Sequence, residues 1–208
     1  MIEIFVHRAR FKSKENSVQG IKAWTKSGVG IELDLRLENN SVIMKHDITE
    51  AGELFDVACK IIQKFNIRVA LHIKEIESLN SIIKIIKKYN INKKCFLFSD
   101  LYTFDKLFEG GGKDMEIAHY ASECPIDIKA KILWCDELKN KWFNTTIISD
   151  LHKENKILYA MSKELSVPSS SMYEITKEWK RLIELGFDGI CTDYARELSN
   201  FRKNKRLN

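Results

Sequence analysis

The chain has 208 residues, 44% of them hydrophobic and 30% charged, which suits one soluble globular domain spanning residues 1–208. No run approaches the ~20 apolar residues of a membrane-spanning helix, and the opening MIEIFVHRAR meets charge too early for a signal peptide. A net charge of +5, carried by dispersed lysines, favours a small anionic substrate over nucleic acid, and the basic end FRKNKRLN reads as a solvated terminus. The five cysteines lack C-x-x-C spacing. Cys59, Cys95 and Cys191 sit among apolar neighbours and read as core residues, so a reducing cytoplasm is the expected setting.

In chain order, short β-rich runs alternate with helical patterns. Strands are predicted at 2–7, 30–37, 69–74, 95–100, 116–121, 132–137, 156–162 and 188–193. Helical periodicity fills ENSVQGIKAWTKSG, AGELFDVACKIIQKFN, ESLNSIIKIIKKYN and SSMYEITKEWKRLIELG. In the second, Leu54, Val57, Ala58, Ile61, Ile62 and Phe65 recur at the spacing of one helix face. Gly186 supplies a helix stop, and Ser169, Ser170 or Ser171 a helix N-cap. A short helix is expected near Thr103–Phe108, and the helix after the fifth strand is poorly marked. Eight such units predict a compact (β/α)₈ barrel, with a doubly wound open sheet as the alternative.

The second strand, GIELDLRL, carries its apolar residues on one face and Glu32, Asp34 and Arg36 on the other. A parallel barrel covers the outer face with helices, so the charged face is expected to point inward. Carboxylates two residues apart on a strand lie about 7 Å apart, and their repulsion costs on the order of 2–3 kcal/mol at an effective dielectric of 20. Either a bound cation or an internal salt-bridge network with Arg36 would relieve it.

Other polar residues gather where strands end, the side on which such barrels build their sites. His7 and Arg8 close the first strand, and Glu15 and Asn16 lead into a helix. A hairpin after the second strand returns His46 and Asp47. His72 and Lys74 share a face of the third strand, and Thr192-Asp193 end the eighth. Together they offer oxygen ligands for a divalent cation, cations for a phosphate and histidines to move protons near neutrality. His119 and Asp136 are further candidates for the interior. Trp24, Trp142 and Trp179 read as helix packing, and Trp134 as a barrel-lining residue. EGGGKD lacks the spacing of a phosphate loop and reads as a connection.

The stretch HRARFKSKENSVQGIKAW…GIELDLRL…SVIMKHD resembles the glycerophosphodiester phosphodiesterase family, as do LHIK, FLFSD and the closing WKRLIELGFDGICTD. The resemblance implies a metal-dependent phosphodiesterase barrel of lipid metabolism that cleaves a small phosphodiester to a phosphomonoester and an alcohol. Carried over residue by residue, it implies that Glu32 and Asp34 ligate Mg²⁺ or Ca²⁺. It implies His7 and His46 as the acid/base pair, Arg8 and Lys74 as phosphate contacts, and Glu15 and Asn16 as residues ordering the loop behind them.

The chain departs from that family in three places. His72 stands where a glutamate usually completes the metal site, which adds Mn²⁺ or Zn²⁺ to the possible ions. Ala9 replaces the glycine after His-Arg. The usual insertion after His-Asp is missing, which predicts a more open pocket. Two alternatives stay open at this level: cleavage through a cyclic phosphate, as in phospholipase- or lyase-like relatives, and an inactive protein that binds phosphorylated ligands.

Overall fold

The computed structural model describes residues 2–110, 114–124, 129–138 and 140–204. Eight parallel strands close into a barrel: β1 (Glu3–Val6), β2 (Gly30–Glu38), β5 (Val69–Ile73), β6 (Cys95–Phe98), β7 (Glu116–Ala121), β8 (Ile132–Cys135), β9 (Ile157–Met161) and β10 (Gly189–Thr192). Closure comes from β1, which pairs with β10 on one side and β2 on the other. An antiparallel extension, β3 (Ser41–Met44) and β4 (Glu53–Leu54), hangs from the long β2. The barrel is the expected fold, and the open sheet is ruled out by the β1–β2 pairing.

Helices wrap the outside: α1 (Val18–Thr25), α2 (Phe55–Ile62), α3 (Leu79–Lys88), α4 (Phe104–Glu109), α5 (Thr145–Lys153), α6 (Lys163–Ser166), α7 (Met172–Leu185) and α8 (Ala195–Asn204). No helix lies between β7 and β8 among the described residues, where the sequence marked one poorly. EGGGKD lies partly outside the described residues, as does the basic end. No helix among the described residues is long and apolar enough to cross a membrane.

Strand alternation produces two separate cores. Ile31, Leu33 and Leu35 of β2 join Leu71, Ile73 and Leu97 in the large cluster beneath the helices, each burial being worth about 1.5–3 kcal/mol. The opposite faces build a smaller cluster inside the barrel, from Phe5, Ala70, Phe96, Phe98, Ala118, Ile132, Trp134, Tyr159 and Cys191. There Phe5 meets Tyr159 at 4.9 Å and Phe98 stacks on Trp134 at 4.8 Å. This aromatic plug fills the barrel interior beneath the mouth.

Several local readings hold. Ser171 caps α7 in a reciprocal capping box with Glu174, and Gly186 ends that helix at φ 97°. Trp24 and Trp179 are buried on their helices, and Trp134 lines the barrel. Trp142 is buried too, but in the segment before α5.

The α2 face is corrected. This helix begins only at Phe55 and buries Phe55, Ala58, Cys59 and Ile62, while Leu54 and Val57 are exposed. Leu54 is held in β4 by its pairing with Ile43, which delays the helix start. His152 is half-buried, with its Nε2 3.2 Å from Asp188 Oδ2.

Candidate active site

The site is built at the C-terminal ends of β1, β2, β5, β6 and β10. Glu32 and Asp34 point inward as the alternation of β2 requires, and they are only 2% and 1% exposed. On the neighbouring strand, His72 is the register partner of Asp34 and Ala70 that of Glu32. Ligating atoms of Glu32, Asp34 and His72 all lie within 4.8 Å of one another. The ring of His72 is fixed on three sides. Its Nδ1 is 3.0 Å from Asp34 Oδ1, its Nε2 is 2.7 Å from Asp100 Oδ1, and Phe98 stacks on it at 4.5 Å.

The two carboxylates have unequal surroundings. Asp34 accepts from Asn16 Nδ2 at 3.0 Å, and Arg8 Nε and Lys74 Nζ stand 3.3 and 3.6 Å away. Asn16 also accepts the Asp34 backbone N–H at 3.0 Å, so one buried amide holds this residue by two bonds. Burial alone would raise the Asp34 pKa, but the hydrogen bond and charge of His72, with Lys74 and Asn16, hold it far below the usual range. Glu32 has less help. The only hydrogen bond to its carboxylate among the described residues comes from Arg8 N–H, at 2.8 Å. Burial and the charge of Asp34 push its pKa up.

A buried carboxylate with one neutral donor, facing a second carboxylate, is where a divalent cation would offset an electrostatic cost. The donor set of two carboxylates and an imidazole fits such an ion. The alternative of a network with Arg36 is corrected: Arg36 turns to Glu75 at 2.8 Å and donates Nε to the His46 carbonyl at 2.7 Å. It stands one turn of the pleat above Asp34, where Glu75 also accepts the Leu37 N–H and draws it away.

The turn after β1 aims the next group. Arg8 and Ala9 both have positive φ, 50° and 44°, in the left-handed region where a Cβ is costly. That explains why glycine suits the position Ala9 occupies. The turn points Arg8 N–H at Glu32 and lets Arg8 O accept from Asn16 N–H at 2.6 Å. The Arg8 guanidinium reaches Glu15 at 2.9 Å, yet its Nε is buried without a hydrogen bond. Gly20 of α1 packs so closely on this turn that a Cβ there would lie 2.0 Å from Ala9 O.

His7 is joined to the far end of the chain. Its Nδ1 is 3.0 Å from Asp193 Oδ1, and Arg10 Nη1 binds the other Asp193 oxygen at 2.7 Å. Behind it, buried Glu164 accepts from Asp193 N–H at 3.1 Å and from the hydroxyls of Thr192 and Ser162. Burial would lower the His7 pKa, but the Asp193 hydrogen bond and the charges of Glu32 and Asp193 outweigh it and raise it. His72 is raised in the same way: burial opposes, and the bonds to Asp100 and Asp34 win. Asp100 is correspondingly held down to about 2, mainly by its hydrogen bond with His72.

The predicted residues are thus brought together, with one exception in degree. His7, Arg8, Glu15, Asn16, Glu32, Asp34, His72 and Lys74 form one connected set. His46 sits at the rim with Nδ1 2.9 Å from Asp47 Oδ1, and no hydrogen bond or ion pair among the described residues joins its ring to the set. Asp136 continues the inward face of β8 and accepts from Tyr120, whereas His119 shares the outward face of Ile117 and Ala121. Two participants had no role assigned from sequence: Asp100 and Asp193. Asp193 directly follows β10 in ICTD and Asp100 lies two residues past β6 in FLFSD, and that position at a strand end was their signal.

No family model matches the sequence, and no curated protein matches it. Solved structures do. The chain is similar to a glycerophosphodiester phosphodiesterase from Parabacteroides distasonis, with a TM-score of 0.78 at 16% identity, covering 99% of this chain and 98% of that one. The Thermotoga maritima glycerophosphodiester phosphodiesterase gives a TM-score of 0.68 at 17% identity, with 98% of both chains covered. An Oleispira antarctica phosphodiesterase, solved with its product sn-glycerol-3-phosphate, gives 0.77 at 12% identity, covering 97% and 96%. The fold of the described residues is a (β/α)₈ barrel similar to those of these glycerophosphodiester phosphodiesterases.

Proposed function

We propose that the chain is a divalent-metal-dependent phosphodiesterase that cleaves a small glycerophosphodiester to a phosphomonoester and an alcohol. The observation carrying this reading is the buried Glu32–Asp34 pair with His72, set beside Arg8, Lys74 and the His7–Asp193 pair at one barrel mouth. Glu32, Asp34 and His72 would hold the ion, which supplies Lewis-acid activation of a phosphoryl oxygen when bound.

The remaining chemistry belongs to the side chains. Lys74 and Arg8, whose Nε stands beside Asp34 without a hydrogen bond, would meet the phosphate oxygens as they gain charge. His7 Nδ1 is committed to Asp193, so Nε2 is the atom that takes the proton from the attacking water as its oxygen bonds to phosphorus. His46 returns a proton to the alkoxide as the ester P–O bond breaks. Its Nδ1 is committed to Asp47, which leaves Nε2 for that transfer. Glu15 and Asn16 keep Arg8 and Asp34 in place. The short connection from β3 to α2, with no inserted segment, leaves this flank of the mouth open and favours small or variable head groups. Five free cysteines, four of them buried, suit a reducing cytoplasm.

The test is a panel of glycerophosphodiesters assayed with Mg²⁺, Ca²⁺, Mn²⁺ and Zn²⁺, with a chelator as control. Metal-dependent release of alcohol supports the reading. Tight ligand binding without product under every metal would contradict it.

A further inference from the structure

Asp100 has no place in the chemistry above, yet it makes one of the shortest contacts in the site, 2.7 Å from His72 Nε2. An ionised carboxylate only accepts hydrogen bonds, so Nε2 carries the hydrogen in this contact. The other ring nitrogen, Nδ1, faces the Asp34 carboxylate at 3.0 Å, so it too carries a hydrogen without metal, and a cation held by Glu32 and Asp34 would take that hydrogen's place. Phe98 stacks on the ring at an interplanar angle of 17°, which opposes the flip that would turn both nitrogens away from these partners. A fixed ring, an Nε2–H anchored on Asp100 and an Nδ1 beside the buried carboxylate pair form the pattern of a carboxylate–histidine–metal unit.

We propose that His72 ligates through Nδ1, that Asp100 is the positioning residue fixing it there, and that the pair biases the site toward imidazole-accepting ions such as Mn²⁺, Co²⁺ and Zn²⁺ over Mg²⁺ and Ca²⁺. Mg²⁺ and Ca²⁺ are oxygen-seeking ions that gain little from a nitrogen donor, whereas the other three bind imidazole readily. The inference rests on the metal-site reading above and adds to it a ligand atom, a tautomer and a preference. Asp100 touches no substrate in this scheme; it acts only through His72.

Two measurements on the full chain test it. The first needs no variant: protein labelled with ¹⁵N-histidine is loaded with ¹¹³Cd²⁺ and examined by NMR. A cadmium–nitrogen coupling to Nδ1 of His72, with Nε2 still protonated, is the expected result. Coupling at Nε2, or none at His72, overturns the proposal. The second is calorimetric titration with each metal ion alone. Asp100→Asn should weaken Zn²⁺ and Mn²⁺ about 10- to 100-fold and leave Mg²⁺ unchanged, and His72→Glu should shift affinity toward Mg²⁺ and Ca²⁺. Equal effects on all ions overturn the preference. Ions that bind through Glu32 and Asp34 with no involvement of His72 defeat this inference alone. Binding indifferent to Glu32 and Asp34 defeats the metal site itself.

Discussion

His7 Nδ1 and Asp193 Oδ1 lie 3.0 Å apart across 186 residues of sequence, one after the first barrel strand and one after the last. Barrel closure therefore assembles the pair, and nothing local to either residue could. Asp193 raises the His7 pKa, so removing its charge should let burial lower it. In Asp193→Asn the acidic limb of kcat/KM should move to lower pH, because a base of lower pKa loses its proton sooner. The rate should fall about 10²- to 10⁴-fold, since the ring is no longer held in one orientation. A rate loss with an unmoved pH profile would mean that Asp193 acts on the fold alone.

Glu32→Gln and Asp34→Asn should both abolish metal binding and turnover, but they should differ in stability. Glu32 has one hydrogen bond and a repelling neighbour, so its amide should leave the metal-free protein as stable or more stable. Asp34 is ringed by Asn16, Arg8, His72 and Lys74, and neutralising it should cost about 1–3 kcal/mol. Thermal unfolding in a chelator distinguishes them. Equal losses in both would contradict the asymmetry.

The two histidines should separate by leaving group. A nitrophenyl diester needs little protonation as it departs, so it should partly rescue His46→Ala and not His7→Ala. Steady-state rates on natural-type and nitrophenyl esters decide this, and parallel losses on both would refute distinct roles.

Without metal, stability should fall as the pH rises past neutrality. His7 and His72 are raised above 6.5, so their contribution is complete below that pH and disappears as the pH rises through the folded values. Raised Glu32 adds to the loss. Asp34, Asp100 and Asp193 are depressed, so theirs is complete above about pH 4 and disappears only at lower pH, for Asp100 near 2. Urea unfolding with chelator from pH 4 to 9 should therefore show a maximum on the acid side of neutrality. A steady rise in stability up to pH 8 would contradict the assignment.

Gly20→Ala should disturb the site from behind. The new Cβ meets backbone at Ala9 O rather than a side chain that could move aside. Either α1 or the turn carrying His7 and Arg8 must shift, at about 1–3 kcal/mol. Reduced kcat alongside a lowered Tm is the expected outcome, and a fully active, equally stable variant would show that the turn tolerates movement.

The barrel and most of the cluster were legible because both obey short-range rules. Period-two alternation placed Glu32 and Asp34 inside, and strand ends placed His7 and Lys74. Pairings between distant strands were not legible: Asp193 with His7, and Asp100 with His72, exist only once the register is set. Arg36 shows the reverse error. It shares the inward parity of Asp34, but β2 outruns the barrel, and at that height Glu75 is the nearer partner. Val57 was misplaced for a similar reason, since β4 consumes the turn that periodicity assigned to α2.

The most direct test of metal-dependent diester cleavage is ³¹P NMR of the wild-type protein and Glu32→Gln, each incubated with a glycerophosphodiester and Mn²⁺. The wild type should convert the diester resonance to that of a phosphomonoester, with no loss of signal in the variant or after chelation. A cyclic phosphate as the final product, or conversion that survives both Glu32→Gln and chelation, would contradict it.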